Sequence, residues 1–251
     1  MTVENPQSFV TSQECDKASS QNGYRREQGE TDGWRRYGST TAQGSIWLAY
    51  DDAGFWLMAL DHSGVVAELG FEPLQFDGPG LACYSFATLT ELYSVMPRVY
   101  QLSASLPDAP LREFQEKTKE LFNATEAERL VIQRVGQQIF RDGLIDYWQG
   151  CCPLTGISDT ALLRASHIIP WKDCPSDSER LNVHNGLLLS ALWDAAFDRG
   201  LVTFGDDGRP VFSTALSASA VQELRWVNPI LLTDKHQERL AHHRTEIFQG
   251  S

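Results

Sequence analysis

Two helix starts with a break between them constrain this chain more than any other feature. Thr88 and Glu91 stand at capping-box spacing ahead of Leu92, Tyr93, Met96, Val99 and Tyr100, and Thr125 and Glu128 repeat the pattern ahead of Leu130, Val131, Val135, Ile139 and Phe140. In such a box the hydroxyl accepts from the third backbone N–H and the carboxylate returns the bond, so each box starts an amphipathic helix. The first helix is expected to be kinked or interrupted at Pro97 and to end before Pro107; the second is expected to run through Tyr147 and Trp148. Pro107 to Pro110 form the break, and at 251 residues the chain is long enough for two cores. We therefore expect an α+β protein: an N-terminal domain over 1–106, a charged connector helix within 107–124, and a C-terminal domain over 125–251.

Before the break, SIWLAY (45–50), FWLMAL (55–60) and VVAEL (65–69) are short apolar runs cut by turn residues, which predicts an antiparallel meander packed against the first helix. Residues 1–23 are polar and open with Glu4 rather than a basic cluster and an apolar run, so they read as a frayed start and not as a secretory signal.

After the break, ALLRASHII (161–169) reads as a strand, the segment to His184 as a loop, and NGLLLS (185–190) as a second strand. Ser190 is placed to cap ALWDAAFDR (191–199), which Gly200 stops by taking the left-handed conformation. Asp194 and Asp198 are four apart on that helix, so both carboxylates project from one face, opposite Trp193 and Phe197. Two carboxylates so placed repel each other unless a cation or solvent relieves them. A solvated helix face and a cation site both satisfy that condition, just as His167 in an apolar strand suits either a hydrogen-bonded core residue or a catalyst.

The combination is more specific than its parts. Residues 152–204, CPLTGISDTALLRASHIIPWKDCPSDSERLNVHNGLLLSALWDAAFDRGLVTF, resemble the HNH (ββα-metal) endonucleases in their restriction-type branch, and residues 125–156 resemble the helix that precedes the core there. The resemblance covers about 125–210; residues 1–110 resemble no named domain. It implies a ββα-metal fold, a DNA-cleaving activity and a restriction or modification-dependent defence role. It also implies His167 as general base at the HIIP turn, Asn185 orienting the loop or the imidazole, and Asp194 and Asp198 as metal ligands. Many relatives carry aspartate or histidine directly before the base, where this chain has Ser166, the third candidate ligand. All-oxygen ligands favour Mg²⁺ or Mn²⁺ over Zn²⁺.

Charge limits how such an enzyme could hold DNA. The formal net charge is −12, and Cys151 to Ser213 hold five basic residues against eight acidic ones. Phosphate contacts must then come from local groups, for which Arg164, Arg134 and Arg141 are candidates; Trp148 and Trp171 suit either packing or stacking. In the N-terminal domain Arg25, Arg26, Arg35 and Arg36, interleaved with Tyr24, Trp34 and Tyr37, form the best local nucleic-acid patch, which points to a DNA-recognition role; the same arginines also suit surface cation–π pairs. DNA is the expected partner, no apolar stretch is long enough for a bilayer, and a homodimer is one arrangement that would cut both strands. Five cysteines without a CxxC pair fit a reducing cytoplasm. Two alternatives stand beside the nuclease: a degenerate core that binds DNA without cutting, and an interaction module whose acidic surface meets a basic partner.

Overall fold

The computed structural model describes residues 2–121 and 125–250. It divides into two compact units, Met1–Ala109 and Pro110–Ser251. The last three positions of the expected connector, 122–124, lie outside the described residues.

The first unit begins with α1 (Phe9–Gln21), where a frayed start was expected. Ser8 caps it by accepting the Thr11 N–H at 3.1 Å, and its buried face consists of Thr11, Cys15, Ala18 and Ser19. Those residues are too small and too polar to print an apolar stripe, so composition alone misses the helix. There follow β1 (Arg26–Thr31), β2 (Trp34–Gly38), β3 (Ser45–Tyr50), β4 (Trp56–Leu60), α2 (Ser63–Glu68), β5 (Ala82–Phe86) and α3 (Leu89–Ser105). The five strands form one antiparallel sheet in sequence order. Val65–Leu69, expected as a strand, fall instead on α2 and its C-cap, because the His62 imidazole accepts the Val65 N–H at 3.2 Å and caps a helical turn there. Helix α3 runs unbroken through Pro97. The burial of Leu92, Met96, Val99 and Leu102, all at 0% exposure, outweighs the one backbone bond that proline removes.

Register assigns each face of the sheet its partner. Leu48, Met58 and Tyr84 are aligned across β3, β4 and β5 on one face. On this face Tyr37 of β2 donates its hydroxyl hydrogen to Asp16 of α1 at 2.7 Å. On the other face Trp34, Ala49, Leu57, Ala59 and Cys83 make a smaller core, closed by Val3, Phe55, Leu74 and Phe76.

The second unit holds α4 (Ala109–Thr118), α5 (Glu126–Tyr147), β6 (Leu163–His167), α6 (Asp177–Arg180), β7 (Gly186–Ser190), α7 (Ala191–Asp198), β8 (Val202–Phe204), β9 (Pro210–Phe212), α8 (Ala218–Glu223) and α9 (Asp234–Glu246). The Thr125/Glu128 box starts α5 with both reciprocal bonds, at 3.2 and 3.1 Å. Strands β6 and β7 pair antiparallel, His167 opposite Gly186 and Leu163 opposite Ser190. Ser190 sits at the N-cap of α7, but its hydroxyl makes no capping bond. Gly200 ends α7 at φ +65°, and a side chain there would strike the Ile247 carbonyl.

Helix α5 lies directly on β7, because a Cβ at Gly186 would meet Phe140 and Leu144. Gly186→Ala must therefore push the helix off the strand and should lower the unfolding free energy of this unit by about 1–3 kcal/mol in urea titration. An unchanged midpoint would mean the helix–strand contact is slack.

Candidate active site

Strand β6 delivers Ser166 and His167, its last two residues, to the mouth of the long excursion 168–185. That excursion is fastened from within by Asn185, which sits at the end of a 3₁₀ turn just before β7 and is fully buried. Its Oδ1 accepts the Ile169 N–H at 2.8 Å, while Nδ2 donates to the Ile169 carbonyl at 3.2 Å and to the Glu179 carbonyl and the Cys174 sulfur at 3.3 Å each. Cys174 in turn donates its S–H toward the Ile169 and Pro170 carbonyls, both at 3.4 Å. Of the two tasks expected of Asn185, the bonds assign it the loop rather than the imidazole.

The His167 ring stacks on Phe140, centroids 3.7 Å apart, with Trp171 edge-on at 5.6 Å. Its Nε2 lies 2.9 Å from the Arg180 carbonyl. A carbonyl oxygen only accepts, so Nε2 carries the hydrogen and Nδ1 keeps the lone pair. Burial lowers the pKa below the ordinary imidazole value, against the opposing pull of the Arg180 carbonyl and Glu179, so the neutral ring prevails at pH 7.

His167, Ala165, Pro170, Trp171, Asp198, His243 and Ile247 line a cleft of ≈ 280 Å³. Asp198, exposed on its outer side, has its carboxyl pushed up to about 6, first by desolvation and second by Asp194. Asp194 accepts the Ser166 hydroxyl at 2.6 Å. Trp193 and Phe197, on the opposite face of α7, are buried at 1% and 0% exposure, which fixes the carboxylate face outward. Among the described residues no group of three or more His, Cys, Asp or Glu is gathered to hold a metal ion. Two carboxylates and a hydroxyl do fit a hard divalent cation that fills its other positions with water and substrate oxygens. An all-oxygen set suits such a cation better than zinc, whose sites are built mostly from nitrogen and sulfur donors.

The arginines divide. Arg134 and Arg164 are exposed, although Arg164 spends one nitrogen on the Ala161 and Leu163 carbonyls at 2.9 Å. Arg141 is committed to the Leu163 and Thr160 carbonyls at 2.9 and 2.8 Å, where it clips down the start of β6 instead of reaching for phosphate. Arg35 is likewise spent, on Asp16 and Glu27 at 2.8 Å and Glu30 at 3.0 Å, while Arg36 donates to Ser45 and lies 5.0 Å over the Trp47 ring. Arg25 and Arg26 are exposed, but Tyr24, Trp34 and Tyr37, the aromatics interleaved with this patch, are core residues at 1%, 6% and 2% exposure. They offer no stacking platform.

Sequence reasoning missed the groups that hold the site together. Arg180 acts through its backbone carbonyl, which no residue type announces. Glu179 is gripped by Arg239 of α9 through two bonds at 2.6 and 2.8 Å, sixty residues away in sequence. His243 donates its Nε2–H to the Phe197 carbonyl at 3.3 Å, takes the Thr203 hydroxyl hydrogen on Nδ1 at 3.0 Å, and stacks on Phe197 with centroids 4.1 Å apart. The i,i+4 spacing of His243 from Arg239 on a terminal helix was the one available signal.

A strand, a loop, a strand and a helix follow one another here in the order of the ββα-metal fold, with a histidine ending the first strand and two carboxylates on the helix. The comparison with known families agrees over this segment: residues 152–205 match the family model described as HNH endonuclease. No curated protein matches the chain.

Two predictions follow from these bonds. Asn185→Ala leaves the Ile169 N–H without its acceptor, removes a donor from the Ile169 and Glu179 carbonyls, and should cost about 2–4 kcal/mol of unfolding free energy; a loss below about 1 kcal/mol would show that the excursion is held elsewhere. Burial pushes the His243 pKa down from 6.5 to about 4, so its neutral ring stabilises the fold above pH 6.5 and that contribution is lost as pH falls through about 4. His167 acts in the same direction, while Asp146, pushed up to about 6 by burial and Asp142, acts oppositely. The stability gap between wild type and His243→Gln should therefore narrow by about 3 kcal/mol between pH 7 and pH 4. A gap independent of pH would refute the assignment.

Proposed function

We propose that the C-terminal unit hydrolyses phosphodiester bonds of DNA, with His167 as general base and Asp194 and Asp198 holding a divalent cation, Mg²⁺ or Mn²⁺. The observation that carries this reading is the His167 Nε2–H bond to the Arg180 carbonyl, 2.9 Å long, which leaves Nδ1 as the basic nitrogen of a ring lining the same cleft as Asp198. A phosphodiester is already anionic and its alkoxide leaves poorly, so hydrolysis needs a positioned base and positive charge near the phosphate oxygens.

In the proposed reaction a water attacks phosphorus, its proton passes to Nδ1 of His167, and the P–O3′ bond breaks, the departing 3′ oxygen taking a proton from solvent to give a 3′-hydroxyl and a 5′-phosphate. The cation, when bound, supplies the charge that offsets the developing negative oxygens. Ser166 is a positioning residue: by donating to Asp194 it orients that carboxylate on the face shared with Asp198. Lys172, exposed beside Trp171 of the cleft wall, joins Arg134 and Arg164 as the phosphate contacts. We assign DNA contact to this unit alone. Residues 1–109 carry six basic side chains against fourteen acidic ones, so bulk electrostatics there repel a polyanion.

The test is cleavage of supercoiled plasmid in Mg²⁺ or Mn²⁺. Activity should vanish with chelator, and His167→Ala should lower the rate by roughly 10²–10⁴-fold. A His167→Ala protein that cuts at the wild-type rate removes the assigned base. Ser166, a neutral residue before the base, favours one other reading, a core that holds DNA without cutting; retention of DNA at low salt with no cleavage in either ion would identify it.

A further inference from the structure

Helix α7 has a third face that neither the core nor the carboxylate cleft uses. Trp193 and Phe197 are buried, Asp194 and Asp198 share a second face, and Leu192, Ala195 and Arg199, at i, i+3 and i+7, line one wall of a groove of ≈ 460 Å³. Leu216, Ala220 and Glu223, on α8 and the segment before it, line the opposite wall.

The two walls are fixed, so the groove does not close by letting the helices collapse together. Ser217 caps α8 by accepting the Ala220 N–H at 3.2 Å, and Leu224 at the end of α8 is buried at 3% exposure. The Trp193 indole donates to the Arg225 carbonyl at 3.1 Å, which ties that end to α7. Alanine at 195 and 220 leaves the hollow between the walls. Leu192 stands beside it at 54% exposure, an aliphatic side chain that gains by leaving water.

The charges on this surface decide its occupant. Arg199 and Glu223 are both exposed, one on each wall, and among the described residues neither side chain has a hydrogen-bond or ion-pair partner. An apolar lining whose two charges cancel offers no hold to a polyanion such as DNA. A purely basic or purely acidic segment would match one charge and oppose the other. A second copy related by a two-fold axis matches both, because such a contact is reciprocal: Arg199 of each copy meets Glu223 of the partner subunit, and Leu192 of each copy enters the hollow of the other.

We propose that this groove is a homodimer interface, closed by mutual insertion of Leu192 and by two Arg199–Glu223 pairs between copies. The ten lining residues per copy are fewer than the roughly 20–30 of a standard interface, so the dimer is of the micromolar class, with a dissociation constant of about 1–100 µM. The proposal stands apart from the nuclease reading, because association is measured without DNA or metal. Where that reading holds, α7 carries both the interface and the carboxylates, so pairing sets two clefts at a fixed spacing.

Sedimentation velocity on the full chain, up to about 0.5 mM, tests it, and wild type should pass from monomer to dimer over that range. Leu192→Glu, at an exposed position where the fold has little to lose, should weaken association at least about tenfold. Arg199→Glu and Glu223→Arg should each weaken it several-fold, and both in one chain should restore it to within about threefold, a repair that a loss of stability alone does not give. A monomer at every concentration, a dimer indifferent to Leu192→Glu, or single reversals that the double variant does not repair overturns the proposal. A monomer that binds an apolar dye, and loses it in Leu192→Glu, also overturns it and gives the groove to a different molecule.

Discussion

Everything at the candidate active site depends on the buried amide of Asn185. The excursion between β6 and β7 has no sheet of its own to satisfy its backbone, and buried polar groups left unpaired cost about 1–3 kcal/mol each. Asn185 answers three of them at once, the Ile169 N–H and the Ile169 and Glu179 carbonyls. By fixing Glu179 it also fixes the next residue, Arg180, whose carbonyl sets the His167 tautomer. Arg239 then holds the same turn from α9 through the Glu179 carboxylate. The imidazole is thus oriented by backbone, and the backbone by one side chain on the inside and one on the outside.

The two units solve different electrostatic problems. The C-terminal unit must tolerate two carboxylates on adjacent turns of α7, and it does so at the edge of a cleft open to solvent and substrate. The N-terminal unit surrounds Arg35 with three carboxylates, those of Asp16, Glu27 and Glu30. Arginines near aromatic residues look like a nucleic-acid patch in one dimension. In three, Tyr37 and Trp34 turn inward and Arg35 is consumed by its own hairpin and α1, while Arg25 and Arg26 stay exposed with no aromatic surface between them.

What could be read from the sequence was whatever is encoded within one helical turn or one strand. The capping boxes placed α3 and α5, alternation and turn residues placed β3 and β4, and the spacing of Asp194 and Asp198 placed both carboxylates on one face of α7. Elements whose cause is distant were not legible. Helix α1 buries Cys15 and Ala18 against a sheet that the sequence does not display, and α2 exists because His62 caps what looked like a β-branched strand. The Arg239–Glu179 clamp and the Arg141 clip join residues sixty and about twenty positions apart. Ser166 was weighed as a cation ligand by its position before His167, yet its bond to Asp194 is a property of α7 packing on β6, which only the fold brings about.

Two histidines of this unit show what separates a structural imidazole from the proposed base. His167 and His243 both line the cleft, both stack on a phenylalanine, both donate Nε2–H to a backbone carbonyl, and burial lowers the pKa of both. The difference lies at the other nitrogen. Thr203 caps Nδ1 of His243, so its lone pair is already engaged and the ring, at 1% exposure, has nothing left to give. No donor among the described residues is recorded at Nδ1 of His167, and that ring is only half-buried. A lowered pKa therefore does not identify a base. A base also needs a second nitrogen left for solvent, and in this cleft only one of the two histidines meets that condition.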